Sequence, residues 1–266
     1  MTKDTGYTIN IAPSLSDQPP FQHNYFYKGS TIHWNGSDQL ELYEKNMQTS
    51  SAYILLQKHG WINSTIEYSY NSHGFRCLEF DDKPCALALG CSFTEGTGLH
   101  LYQTWSRRLS SMLDFTVRNL GSGGGTIDTV FRILEHYIDR LNTKYIFLLI
   151  PPVNRLEYCD IENEFPVIHP SNIRNHKSFA KEWLSQPFNG IYNTKKTLLA
   201  IEQLCAKANI PLFTYCSHDA LSEYIHNDTR NTDFARDLMH PGVSYQEYVA
   251  NIMYSKFQSF NKAHYG

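Results

Sequence analysis

Charge is scarce in this 266-residue chain, with Asp, Glu, Lys and Arg together making up 18%. The net charge of -3 leaves no basic footprint of the kind that phosphate-backbone binding requires, so nucleic acid is not an expected partner. Long apolar runs are also missing. The longest, from Tyr145 to Val153, is interrupted by two prolines and is too short to span a bilayer. The polar start, Met1-Thr2-Lys3-Asp4-Thr5-Gly6, has no apolar signal-peptide core behind it, so a soluble, cytoplasmic protein is expected. The six cysteines (Cys77, Cys85, Cys91, Cys159, Cys205 and Cys216) include no C-x-x-C pair and no regular framework. That argues against a structural zinc and against a disulfide scaffold, and reads as buried free thiols. Internal repeats and low-complexity tracts are absent.

What the chain does have is enough length for one sizeable α/β core with a small appendage. Residues 1–83 are irregular and aromatic, with Pro19-Pro20, the cluster Phe21 to Tyr27, a helical piece around Asp38 to His59 and an alternating Ile66 to Tyr70. They read as an N-terminal extension packed on a core domain at 84–266, since their aromatics would otherwise be badly exposed. Within that core, Ala86 to Leu89, Phe115 to Arg118, Tyr145 to Ile150 and Pro211 to Tyr215 read as strands. Helical spacing separates them: Trp105, Leu109, Met112 and Leu113; then Ile127, Val130, Phe131, Leu134, Ile138 and Leu141; then Leu198, Ile201, Leu204 and Cys205. Such alternation implies a parallel sheet covered on both faces. Leu156 to Tyr192 show no strong period and read as a cover or a surface excursion.

Two stretches carry candidate chemistry. Ala86 to Leu89 runs into Gly90-Cys91-Ser92-Phe93-Thr94-Glu95-Gly96, which places the Ser92 hydroxyl at the carboxyl end of a strand, where open α/β sheets bind ligands. Such turns also carry Ser and Gly for backbone reasons alone. Near the other end, Asp237-Leu238-Met239-His240-Pro241-Gly242 precedes Ser244 and Glu247, whose capping-box spacing predicts a helix starting just after Ser244. The three-residue offset lets the Asp237 carboxylate fold back to the His240 imidazole and leave Nε2 free as a base. A solvated, loop-stabilising pair has the same spacing.

Together these blocks resemble the SGNH hydrolases, also called GDSL esterases and lipases. Leu89 to Gly98 looks like the family's first block, Asn119-Leu120-Gly121-Ser122-Gly123-Gly124-Gly125-Thr126 like its second, and Asp237 to Gly242 like its last. Tyr68 to Arg76 resembles a lead-in seen in some members. The resemblance spans roughly residues 66 to 258 and implies a flavodoxin-like three-layer α/β/α sandwich with a parallel central sheet. It further implies a serine esterase without metal or cofactor, acting on a small-molecule or glycan ester. By position, Ser92 would be the nucleophile, His240 the base, and Asp237 the residue orienting it. The backbone N–H of Ser92 and of Gly124, whose neighbours Gly123 and Gly125 compete for the role, and the side chain of Asn154 would hold the oxyanion. Two departures stand out: Cys91 replaces the usual aspartate before the serine, and Pro151-Pro152-Val153-Asn154-Arg155 replaces the usual Gly-x-Asn-Asp. Asn154 is therefore either an oxyanion donor or an ordinary turn asparagine. Arg76 and Arg155 are candidates for substrate contact or for structural pairing. An acyltransferase using the same triad and a non-catalytic module on the same fold are the alternatives. The Gly121 to Gly125 turn lacks the Lys-Ser/Thr ending of a P-loop, and Cys216-Ser217-His218-Asp219 has no partner ligands at metal-binding spacing.

Overall fold

A computed structural model describes residues 23–158, 167–168, 178–216 and 233–265. The first elements are a short strand β1 (Thr31–Ile32), helices α1 (Leu40–Gln48) and α2 (Ser50–Lys58), and β2 (Tyr68–Ser69), antiparallel to β1. The helical piece from Asp38 to His59 is thus two helices. They part at Thr49, which is extended at φ -99°, ψ 115° and whose hydroxyl donates back to Lys45 O at 3.0 Å.

Four parallel strands follow: β3 (Cys85–Leu89), β4 (Val117–Asn119), β5 (Thr143–Leu149) and β8 (Leu212–Tyr215), in the spatial order β4-β3-β5-β8. Between or after them lie the helical turn α3 (Ser92–Glu95), α4 (Trp105–Leu113), α5 (Ile127–Tyr137), a small antiparallel pair β6 (Leu156–Glu157) and β7 (Val167–Ile168), α6 (Ser178–Ser185), α7 (Pro187–Ala208) and α8 (Val243–Tyr265).

Alternation along the strands makes three layers. Every residue of β3 is buried. Cys85, Leu87 and Leu89 point to α5 and α7, where they meet Val130, Ile133, Leu134, Leu198 and Ile201. Ala86 and Ala88 point the other way, and their small side chains leave room for Trp105 of α4 and for Val249 and Met253 of α8. On β5, Ile146 and Leu148 face the first group while Phe147 and Leu149 face the second. The fold is therefore a three-layer α/β/α sandwich with a parallel central sheet. Met112, expected on the buried face of α4, is 36% exposed instead. α7 begins well before Leu198, with Pro187 in its first turn, where proline costs no helical hydrogen bond.

The strand order sets the position of the site. From β3 the chain moves outward to β4, then crosses back over β3 to β5, so the topology reverses between β3 and β5. In open sheets a crevice forms at the carboxyl ends of the strands flanking such a reversal. Ser92 follows β3 there, and Asn154 follows β5.

A third apolar cluster joins the N-terminal segment to this frame. Leu56, Trp61, Ile66, Tyr68 and Tyr70 pack with Leu99 and Ala235, the latter just ahead of Asp237.

Candidate active site

The turn after β3 is built around Gly90, whose φ of 154° lies in a region that favours glycine. A Cβ at Gly90 would lie 2.2 Å from Thr94 Oγ1 and 2.7 Å from Leu149 O, so the backbone of β5 closes directly on this turn. Cys91, buried at 1% exposure, takes the position before the helical turn, and its carbonyl accepts the N–H groups of Thr94 and Glu95. Ser92 opens α3. As the first residue of that turn, Ser92 has no helical acceptor for its N–H, and none among the described residues takes it.

The loop that carries Asp237 and His240 is closed on itself. Ala235 N–H donates to His240 O at 3.0 Å, and Leu238 N–H donates to Ala235 O at 2.9 Å. Leu238 adopts φ 56°, a left-handed conformation uncommon for a branched residue. This reversal folds Asp237 back toward His240. The whole loop abuts Gly98, whose carbonyl accepts the Arg236 N–H at 3.0 Å. Gly98 has φ 74°, and a Cβ there would sit 2.8 Å from Ala235 Cβ, so only glycine allows this approach. The helix beyond starts at Val243, and Ser244 is not its N-cap. Asp233 takes that role: its carboxylate accepts the Ser244 N–H at 3.0 Å and the Ser244 hydroxyl, while its carbonyl accepts the Gly242 N–H at 3.0 Å. The carboxylate reaches Ser244 from eleven residues upstream, and the serine donates to this cap instead of forming one.

These segments bring Ser92, His240 and Asp237 into one hydrogen-bonded line. His240 Nε2 lies 2.8 Å from Ser92 Oγ, and His240 Nδ1 lies 2.6 Å from Asp237 Oδ2. Because a carboxylate only accepts, the Nδ1 proton points at Asp237, and the Nε2 lone pair is left for the Ser92 hydroxyl. Asp237 Oδ1 accepts the backbone N–H groups of Met239 at 3.1 Å and His240 at 3.0 Å. Burial works to raise the Asp237 carboxyl, but the hydrogen bonds from His240, Ser37 and the backbone outweigh it and hold the group below the ordinary carboxylate range. The edge of the Phe93 ring packs on the imidazole at a centroid distance of 5.5 Å.

The glycine turn after β4 locks onto the same corner. Ser122 N–H donates to Gly90 O at 3.1 Å, and Asn119 Nδ2 donates to Thr94 O at 2.8 Å. Gly121 lies so close that a Cβ would meet Glu95 N at 2.4 Å. Gly125 N–H is taken by Ser122 O at 3.0 Å, whereas the N–H of Gly124 has no acceptor among the described residues. Asn154 is exposed on the segment after β5, and its amide has no partner among the described residues. Arg155 ties that segment to the glycine turn, since its Nη1 donates to Gly125 O at 2.7 Å.

Arg76 is not available to a ligand. It is fully buried and donates to the carbonyls of Gly96 (2.7 Å), Leu99 (2.8 Å) and Glu67 (2.9 Å), stacking over Tyr68. Cys216 is buried, while Ser217, His218 and Asp219 lie outside the described residues, as does Cys159. The residue that the sequence does not announce is Ser37. Its hydroxyl donates to Asp237 Oδ2 at 2.6 Å and lies 3.2 Å from His240 Nδ1. The only local signal is a turn-forming Asn35-Gly36-Ser37-Asp38, which says nothing of a partner 200 residues away. Among the described residues, no helix is long and apolar enough to cross a membrane.

No protein-family model matches the chain, and no curated protein sequence does. Solved structures overlap it loosely. The esterase EstA from Pseudoalteromonas sp., inhibited by monoethylphosphonate, is 13% identical with a TM-score of 0.45, over 68% of this chain and 100% of that one. The acetyl xylan esterase AlAXEase is 12% identical with a TM-score of 0.41, over 65% and 98%. A family 3 carbohydrate esterase from Clostridium thermocellum is 17% identical with a TM-score of 0.36, over 69% and 100%. At such scores these overlaps carry no weight for function.

Proposed function

We propose that the protein is a serine esterase of the SGNH type, working through an acyl-serine intermediate. The observation that carries this reading is the continuous line Ser92 Oγ, His240 Nε2, His240 Nδ1, Asp237 Oδ2, with separations of 2.8 Å and 2.6 Å at its two hydrogen bonds. A serine hydroxyl is a weak nucleophile until a base takes its proton, and this line supplies the base and fixes its tautomer.

In the first step the Oγ–H proton passes to His240 Nε2 as Oγ bonds to the ester carbonyl carbon, whose π electrons move onto oxygen. The backbone N–H groups of Ser92 and Gly124 and the amide of Asn154 receive that oxyanion. Collapse of the intermediate breaks the bond to the alcohol oxygen, which leaves with the proton from Nε2. Water then repeats the sequence: His240 takes its proton, the acyl–Oγ bond breaks, and the proton returns to Ser92. The imidazolium formed twice in the cycle is stabilised by Asp237, which its hydrogen bonds keep ionised.

We infer an acetyl ester on a glycan as the substrate. A cavity of about 420 Å³ is lined by Trp183, Phe188, Asn189, Tyr192, Asn193 and Lys196 of α6 and α7. Gly190, on the inward face of α7, abuts the backbone of Val153 next to Asn154, so the helix that carries most of this lining packs on the segment after β5. Exposed rings flanked by amides suit the alternating C–H and hydroxyl faces of a sugar.

Hydrolysis of aryl acetate, butyrate and decanoate esters, run beside acetylated sugars, tests the reading. Acetate should be the preferred acyl group, and Ser92→Ala and His240→Ala should abolish turnover. Tyr192→Ala should raise KM for acetylated sugars while leaving aryl acetate unchanged. Turnover that survives in Ser92→Ala removes the mechanism, and an unaltered KM in Tyr192→Ala removes the glycan assignment alone.

A further inference from the structure

We propose that Ser37 is a positioning residue that holds Asp237 and His240 in register with Ser92, so that the N-terminal segment is part of the acid–base machinery. This rests on the catalytic reading of Ser92 given above.

Ser37 sits on a turn clamped from both sides. Asn35 and Asp38 exchange backbone hydrogen bonds, Asn35 N–H to Asp38 O at 2.9 Å and Asp38 N–H to Asn35 O at 3.0 Å. On one side, Asn35 Nδ2 donates to Glu95 Oε1 at 2.7 Å, and Glu95 closes the helical turn that Ser92 opens. On the other, Asp38 is paired with Arg236, the residue before Asp237, through Arg236 Nη2 to Oδ2 at 2.6 Å and Nε to Oδ1 at 2.9 Å. The four-residue turn is therefore a bracket between the nucleophile's helix and the acid–base loop, and Ser37 stands at its centre.

From there its hydroxyl reaches the same oxygen that holds the imidazole. It donates to Asp237 Oδ2 at 2.6 Å, so one oxygen accepts from both Ser37 and His240 Nδ1. With Met239 and His240 N–H on Oδ1, this third direction of donation stops the carboxylate from rotating about its Cβ–Cγ bond. The Ser37 oxygen also lies 3.2 Å from Nδ1, close enough to share its proton when the ring becomes cationic. The other groups facing the imidazole are Ser92 and the Phe93 ring edge from α3. Nearby charges are committed elsewhere: Arg236 to Asp38, Glu95 to Asn35 and Tyr70, and Asp233 to the start of α8.

The test compares wild type, Ser37→Ala and Ser37→Thr. Ser37→Ala should lower kcat about tenfold, equivalent to about 1.4 kcal/mol, with KM unchanged. Without the hydroxyl, Oδ2 becomes a stronger acceptor for Nδ1–H. The acid limb of the kcat/KM profile, which reports the Asp237–His240 pair as a unit, should then move to higher pH. The Nδ1–H proton resonance of His240 should move downfield. Ser37→Thr, which keeps the donor, should restore most of kcat. A melting curve accompanies each variant. Should Ser37→Ala melt early, Ser37→Cys, with its weaker donor, gives the same readings. A Ser37→Ala protein with wild-type kcat, acid limb and Nδ1–H resonance overturns the proposal. If the wild type proves inert toward esters, the resonance still decides the role of Ser37, and only the catalytic reading falls.

Discussion

Replacing Asp38 by alanine is expected to cost far more than its position in an N-terminal segment would indicate. The Asp38 and Arg236 side chains are 1% and 2% exposed, and they meet in a two-pronged ion pair. Asp38 Oδ2 also accepts the Tyr68 hydroxyl at 2.6 Å, and the guanidinium lies over the Trp34 ring at 3.9 Å. Asp38→Ala strands a buried cation, whose remaining hydrogen-bond acceptors among the described residues are the carbonyls of His33 and Ser64, and deprives a buried phenol of its acceptor. Breaking one partner of such a pair costs about 3–5 kcal/mol. In a chain of this size that corresponds to a fall in Tm of roughly 10 °C, at ~2–4 °C per kcal/mol. Urea unfolding of Asp38→Ala, Arg236→Met and an Asp38→Leu/Arg236→Met double variant measures it. Each alanine or methionine single variant should lose stability on that scale, and the double should recover much of it, because no charge is then left unpaired. A single variant within about 1 kcal/mol of wild type would refute the buried-pair account.

Asn154→Ala should lower kcat by about 100- to 1000-fold with little change in KM if its amide serves the oxyanion; steady-state kinetics on an aryl acetate reads this directly. Gly90→Ala places a Cβ 2.2 Å from Thr94 Oγ1 and 2.7 Å from Leu149 O. It should lower both Tm and the rate at Ser92, because relief of the second contact must move backbone. Acid unfolding should report Asp237. Its carboxyl titrates below the ordinary range in the folded state, so its contribution to stability is present above about pH 4 and is lost as pH falls through the lowered value. Below about pH 4 the wild type should therefore lose stability with pH more steeply than Asp237→Asn.

Much of this architecture can be read from local pattern. β3, β5 and the apolar stripe of α5 follow from short all-apolar runs and a 3.6-residue period, because these segments are buried on the faces that the pattern marks. Leu141 fell outside α5, which ends at Tyr137. Where several residues compete for one role, local rules failed. Ser244 has capping-box spacing, yet Asp233 caps the helix. Arg76 is open in the sequence between substrate contact and structural pairing, because an isolated arginine carries no record of the carbonyls that will surround it, and the structure selects the second. The early part of α7 was hidden by Phe188 and Tyr192, which are 78% and 77% exposed and so break the expected period. Ser92, Asp237 and His240 were nameable only because blocks at distant positions matched in order. Ser37 matched nothing, since its role depends wholly on a contact between the ends of the chain.

The central claim is that Ser92 is an activated nucleophile, and a fluorophosphonate probe tests it most directly. Intact mass should show one adduct per wild-type chain, mapped by peptide sequencing to Ser92, and none in Ser92→Ala. An unlabelled wild type, or an adduct that persists in Ser92→Ala, would contradict it.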